Sequence, residues 1–290
     1  MINLGLQVRR AVAEDFQQIS NLLFYEANVH RHLDWRSPLE WIGYSNYWVL
    51  EENGYVAAVL AFPEDPPQVA WLRIFGYNPH LSGPEAWSAL WEVASREVLH
   101  TTPRPQIASI VVKQWFQNLL VSSGFELKQN IVLLQLMNEN VQPHSVQHGL
   151  RIRPMQESDL PIVATIDLDA FGQFWHNTLD SLKRAHLQAV SATVVEDHSG
   201  IIGYQLSTGN SLGAHLARLA VRPEAQGRGV GAALVGNLIQ SLGANQLSRL
   251  SVNTQSDNST SLALYKKLGF VRTGEYFPVL VYQTGENTNE

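Results

Sequence analysis

Two stretches of this chain recur at nearly one spacing, and no other feature constrains its fold as much. Val8-Arg9-Arg10-Ala11-Val12-Ala13-Glu14-Asp15-Phe16 is followed by Ile152-Arg153-Pro154-Met155-Gln156-Glu157-Ser158-Asp159-Leu160, which lies 144 residues later when Asp15 is set on Asp159. Each reads as a short strand ending near an arginine, then an amphipathic helix, Ala13 to Leu23 and Glu157 to Ala170. A second pair, Asn118–Phe125 and Ala263–Phe270, recurs at 145. Each is an apolar helix closed by a glycine suited to the C′ position, then a phenylalanine that begins a final strand. The chain therefore reads as two copies of one α/β unit, each a mixed central sheet flanked by helices.

The polar, aperiodic stretch 138–149 separates the copies as a linker, giving domains at 1–137 and 150–283, and the tail from Thr284 reads as frayed. With 290 residues, 45% of them hydrophobic, both copies can build cores. The net charge of −6 argues against a general nucleic-acid binder and against an anionic membrane surface. There are no cysteines, hence no disulfide framework, thiol nucleophile or cysteine metal site. Neither a signal peptide nor a run of ~18 apolar residues is present, so a cytoplasmic location is expected. Two fused copies resemble a dimer in one chain, and a monomer or homodimer is expected.

The second copy can be followed element by element. Ala192–Glu196 and Gly200–Leu206 form a strand pair across Asp197-His198-Ser199. His215–Val221 is a third strand. Val230, Leu234, Leu238, Ile239 and Leu242 keep helical spacing up to Gly243. A strand at Leu247–Val252, a helix from Thr260 to Leu268 and a strand at Val279–Tyr282 complete it.

Between the third strand and its helix lies Gln226-Gly227-Arg228-Gly229-Val230-Gly231. N–H groups at a helix N-terminus are unpaired and carry partial positive charge, and glycines let backbone approach an anion, so this is a phosphate cradle. Arg228 adds a charged contact. A Walker loop would need Gly-Lys-Ser/Thr, which is missing. A dinucleotide fingerprint wants an acidic residue ~20 positions on, and neither Asp nor Glu occurs between Glu224 and Asp257. A glycine turn that only lets the helix pack is the competing structural reading.

Leu219–Leu234 resembles the acetyl-CoA signature of the general N-acetyltransferase (GNAT) superfamily: Gln or Arg, two residues, Gly, one residue, Gly or Ala. Asn258–Phe270 resembles its second signature, an Asn seven residues before a Tyr, then Gly-Phe. The resemblance covers the second half well and the first in outline. It implies two tandem GNAT-like domains with acetyl-CoA as acyl donor. Leu219, Ala220 and Val221 would pair through their backbone with the pantetheine arm. Gln226, Gly227, Arg228, Gly229, Val230, Gly231 and Ala232 would hold the pyrophosphate, and Asn258 would contact the cofactor. Tyr265 would be the general acid. A phenol of pKa near 10 suits a departing thiolate; a core tyrosine sharing a face with Leu262 and Leu268 is the alternative.

The acceptor is expected to be a small-molecule or peptide primary amine, attacking directly. An ordinary amine of pKa ~10.4 is neutral about once in 10³ at pH 7, so its proton needs a taker. His215 is the candidate base, against a strand-end histidine facing solvent. Asp167, Asp169, Phe171, Trp175 and His176 either line an acceptor pocket or are the two sides of one helix. Ser251 and Asn253 are candidate polar contacts. A non-catalytic acyl-CoA sensor or scaffold is the alternative function.

In the first copy the cradle falls at His80-Leu81-Ser82-Gly83-Pro84-Glu85, where Pro84 has no N–H and Glu85 is acidic, and Tyr265 falls on Leu120. That copy reads as degenerate. His30, His32 and Asp34 alternate as metal ligands would on a strand, but lack a fourth ligand, and no metal is expected.

Overall fold

The computed structural model of the protein describes residues 5–32, 34–137, 149–210, 213–242 and 249–283. The first half of the sequence forms β1 (Leu6–Arg10), α1 (Phe16–Tyr25), β2 (Val29–Arg31), β3 (Tyr47–Glu52), β4 (Tyr55–Ala61), β5 (Val69–Trp71), β6 (Ile74–Tyr77), α2 (Gly83–Leu99), β7 (Gln106–Ile110), α3 (Gln114–Ser122) and β8 (Phe125–Met137). The second forms β9 (Arg151–Pro154), α4 (Leu160–Trp175), α5 (Leu179–Gln188), β10 (Ser191–Asp197), β11 (Gly200–Asn210), β12 (Gly213–Val221), α6 (Val230–Leu242), β13 (Arg249–Gln255), α7 (Ser259–Lys267) and β14 (Val271–Tyr282). No helix among the described residues is long and apolar enough to cross a membrane.

Two compact units result, and they trade strands. One comprises Met1–Lys128 with Pro278–Glu290, the other Gln129–Phe277. The division runs through the middle of β8 and of β14, so each unit is completed by a strand segment encoded in the other half of the sequence.

In the first unit, β1-β3-β4-β6-β2 form one sheet of antiparallel neighbours. β5 runs parallel to β7, and β7 pairs antiparallel with Val279–Tyr282. Helix α2 buries Trp87, Leu90, Trp91, Ala94 and Val98, the helical repeat of one face, together with Phe116 and Leu120 of α3. Leu280 belongs to the same core. Helix α1 seals another cluster with Ile19, Leu22 and Leu23.

In the second unit the order is β8-β13-β12-β11-β10-β9. β12 and β13 are parallel; the other neighbouring strands are antiparallel. Helices α6 and α7 cover one face, burying Leu134, Leu216, Val235, Leu238, Val252 and Tyr265. Helix α4 packs on β11 and β12 from the opposite face, with α5 beside it on β11. This is the doubled, helix-flanked mixed-sheet architecture expected.

The internal repeat reaches individual side chains. Arg9 makes a bidentate pair with Asp15 (2.7 and 2.8 Å) and reaches Glu51 at 2.7 Å. Arg153 makes the same pair with Asp159 (2.7 and 3.0 Å) and reaches Glu196 at 2.9 Å. Each aspartate also accepts the N–H of the residue three before it, at 2.9 and 2.8 Å. That local cap tightens the entry turn into a 3-10 helix, Ala13–Asp15 and Glu157–Asp159, so α1 and α4 start three residues later than expected. The closing glycines, Gly124 and Gly269, both adopt positive φ, 87° and 92°. Phe270 N–H reaches back to Tyr265 O at 3.0 Å, closing the end of α7.

Three differences from the sequence expectation stand out. α5 was not foreseen, because only Ser181, Leu182 and Ala185 are buried and its apolar stripe is thin. β13 runs on to Gln255, and β14 begins at Val271 rather than Val279. Residues 138–148 of the expected linker, Gly243, Leu247, Ser248 and the tail from Thr284 lie outside the described residues.

Candidate functional site

β12 and β13 lie side by side only from Ala214–Leu216 against Leu250–Val252. Beyond that point β12 stays on β11, where Gly203, Tyr204 and Gln205 pair with Val221, Ala220 and Leu219. Its other edge, from Ala217 to Val221, has no strand partner among the described residues. The sheet is forked there, and the edge of Leu219, Ala220 and Val221 that faces away from β11 has no strand beside it among the described residues.

The loop from that arm to α6 is braced at both ends. Gln226 Nε2 donates to Val221 O at 3.1 Å, and Arg228 reaches Asp197 Oδ2 at 3.0 Å. Ser199, with Arg228 assisting, holds the Asp197 carboxyl down to about 2. Between the braces, Gly227 and Gly229 take φ of 73° and 76°, a region that side chains disfavour. Ala233 N–H donates to Gly229 O at 3.0 Å as the first helical bond. The six N–H groups from Gly227 to Ala232 have no partner among the described residues. Gly231 serves packing: a Cβ there would lie 3.2 Å from Leu264 Cδ2 of α7. Val230 and Ala232 are buried and anchor the helix start.

α7 brings Asn258 and Tyr265. Asn258 caps the helix, its Oδ1 accepting Ser261 N–H at 2.9 Å, which leaves its Nδ2 for a ligand. Tyr265 is 4% exposed, packs on Phe270 and makes no hydroxyl hydrogen bond among the described residues. Burial raises its pKa, so the phenol is protonated at rest.

His215 reaches the fork from the other side. It pairs in register with Ser251, while its neighbours Leu216 and Val252 point into the core that holds Tyr265. Alternation therefore puts the two candidate proton-transfer groups on opposite faces of the sheet, at the level where the strands part. His215 Nδ1 is 2.9 Å from Ser251 Oγ, and burial lowers its pKa, so the imidazole is neutral near pH 7. Asn253, next along that face of β13, has a buried Oδ1 without a partner.

The same face carries residues that sequence reasoning placed poorly. Leu206 pairs with Arg218 and Ser207 with Leu216, leaving Ala217 as an extra residue, a bulge. The bulge turns Arg218 onto the His215 face, where its guanidinium grips Asp167 with two contacts of 2.7 Å. Tyr204 Oη also donates to Asp167, and Arg218 stacks on Phe171 at 3.5 Å and donates to Trp175 O at 2.6 Å. Burial opposes the Arg218 charge, but the Asp167 carboxylate outweighs it and raises the arginine pKa. Asp167 is thus a sealed structural anion holding the bulge. Asp169 lies 3.5 Å from Arg222, and His176 Nδ1 is 3.0 Å from Gln173 O. The missed signal was an arginine on the apolar parity of His215-Leu216-Ala217-Arg218-Leu219-Ala220, which only a bulge reconciles.

Residues 160–270, which carry this fork, loop and helix, match the family model described as Acetyltransferase (GNAT) family. Residues 160–270 are a GNAT domain. Two mycothiol acetyltransferases resemble it: that of Paenarthrobacter aurescens (strain TC1), 33% identical over 33% of this chain and 35% of that protein, and that of Frankia alni, 39% identical over 32% and 28%. The chain spans about a third of the length of these curated relatives. In fold the likeness extends further. A GCN5-related N-acetyltransferase from Sphaerobacter thermophilus covers 100% of this chain and 99% of its own at 14% identity and TM-score 0.64. A tandem GNAT protein from the clavulanic acid biosynthesis pathway covers 97% and 99% at 15% and 0.66. The chain thus has two GNAT-like domains in tandem.

The first unit's counterpart to the GNAT cradle is closed by its own side chains. Ser82 caps α2, accepting Glu85 N–H at 3.3 Å, while Ser82 Oγ donates to Glu85 Oε2 at 2.6 Å. Pro84 occupies the first turn. Leu120, at the position of Tyr265, is fully buried. His30 Nε2 is bonded to Leu72 O at 3.2 Å, and Asp34 pairs with Arg73 at 2.9 Å.

Proposed function

We propose that this chain transfers an acetyl group from acetyl-CoA to a primary amine of a small molecule or peptide, by direct attack. The carrying observation is the run of six N–H groups at Gly227–Ala232 with no partner among the described residues, in the loop that follows the β12 arm parted from β13. A run of unpaired donors at a helix start, two of them on the positive-φ glycines Gly227 and Gly229, suits a pyrophosphate. Acetyl-CoA, when bound, supplies an acyl group activated as a thioester. The free edge of Leu219–Val221 orients an extended amide chain by strand-like pairing. Tyr265 holds a phenolic proton at the fork for the departing sulfur. His215, neutral and oriented by Ser251, takes a proton from the amine side. Arg218 and Asp167 fix the bulge between them. The names of the curated relatives favour the same reaction class.

Release of free CoA thiol on incubation with acetyl-CoA and a panel of amines tests the proposal. Tight CoA binding with no thiol released from any amine would instead make the chain an acyl-CoA sensor.

A further inference from the structure

At the end of the second unit's sheet lies a groove of about 310 Å³ that the acetyl-transfer reading leaves unused. Asn130 and Val132 of β8 form its floor, with Ser256 at one side and Arg272, Glu275 and Tyr276 of β14 at the other. It is a built feature. Ser256 N–H donates to Asn130 O at 2.8 Å, fixing the floor to the turn before α7. Thr273 Oγ1 donates to Leu133 O at 3.3 Å and accepts Glu275 N–H at 3.1 Å. Gly274, at φ 90°, takes a left-handed backbone inside β14 between Arg272 and Glu275, and both residues line the groove.

The two charges are free. Arg272 makes no ion pair or hydrogen bond among the described residues. Glu275 Oε2 has only a 3.5 Å contact with Thr273 Oγ1. They do not pair with each other among the described residues. Both are therefore open to a ligand between them. Arginine prefers a carboxylate, which its fork matches, and a carboxylate prefers an ammonium. Val132 and Tyr276 add an apolar floor and an aromatic wall, and Tyr276, 63% exposed, is open to a ligand.

We infer that this groove is a binding subsite for an α-amino-acid head group, with the carboxylate on Arg272, the ammonium on Glu275 and an apolar side chain against Val132 and Tyr276. On the acetyl-transfer reading, which this last step rests on, the amino acid is part of the acceptor. The subsite itself is tested by binding alone.

Calorimetry on the full chain with L-valine, N-acetyl-L-valine and L-valinamide separates the two contacts. Free valine should bind at millimolar concentration, and each capped form about tenfold or more weakly. Arg272→Gln should weaken free valine to the level of valinamide and leave valinamide unchanged. Glu275→Gln should do the same relative to N-acetylvaline. Both positions are exposed, so folding is not at stake. Equal affinity for capped and free forms, no binding of valine, or binding lost once CoA saturates the protein would overturn the inference. Failure here with thiol release from amines intact removes the groove and leaves the proposed function standing.

Discussion

Asp167 is fully buried and both its oxygens face Arg218 at 2.7 Å, across a strand that the arginine enters only because Ala217 bulges. A buried pair is costly to halve, since the survivor keeps its charge without a partner. Asp167→Ala should lose about 3–5 kcal/mol of stability in urea titrations. Asp167→Leu with Arg218→Met should recover most of that. If the double variant is as unstable as the single, the pair is not the source of the loss.

Tyr265 donates its hydroxyl to no group among the described residues, and burial keeps it protonated. Tyr265→Phe should lower kcat about 10²-fold with the CoA dissociation constant unchanged. A fall in CoA affinity instead would make Tyr265 a packing residue.

The φ values of Gly227 and Gly229 exclude branched side chains. Gly229→Val should add about 1–3 kcal/mol of backbone strain and turn aside the N–H groups around it. CoA binding by calorimetry should weaken about tenfold or more. The equivalent change at Gly83, whose loop is closed by Ser82 and Glu85, should not alter CoA binding.

Three histidines are neutral in the folded chain because burial disfavours their charge: His30, whose pKa falls from 6.5 to about 4, with His32 and His215 also lowered. Below pH 6.5 the unfolded chain binds protons that the folded chain refuses. Stability is therefore full above that pH and declines as pH falls toward 4. His30 alone accounts for roughly 3 kcal/mol of this decline. Urea midpoints from pH 7 to 4 should show it, and His30→Phe should flatten the curve. If His215 is the base, the acid limb of kcat/KM inflects below 6.5 and vanishes in His215→Gln.

Much of this was legible in the sequence. The recurrence of Asp15 in Asp159 and of Gly124 in Gly269 announced a duplication, and the ion triads on Arg9 and Arg153 are its physical content. The loop Gln226–Gly231 was legible because glycine spacing is a backbone property. The bulge at Ala217 was not, since one extra residue leaves no mark except an arginine on the wrong parity. The position of β8 beside β13 was hidden as well, because the apolar alternation of Ile131–Leu136 says which face is buried but not which sheet receives it. Nor could the sequence choose between an acceptor-pocket and a helix-side reading of Asp167, because its partner Arg218 lies 51 residues away.

The traded strand segments also set a schedule. The first unit's core includes Leu280 and pairs β7 with Val279–Tyr282. A ribosome that has finished residue 137 has therefore not yet made everything that unit needs. The amino-terminal unit must wait, incomplete, until nearly the whole sequence has emerged, while the second unit has all its strands once Phe277 is made. Of the two units, the one translated earlier is the one that finishes later, and its unpaired β7 edge is what a chaperone would meet in the interval.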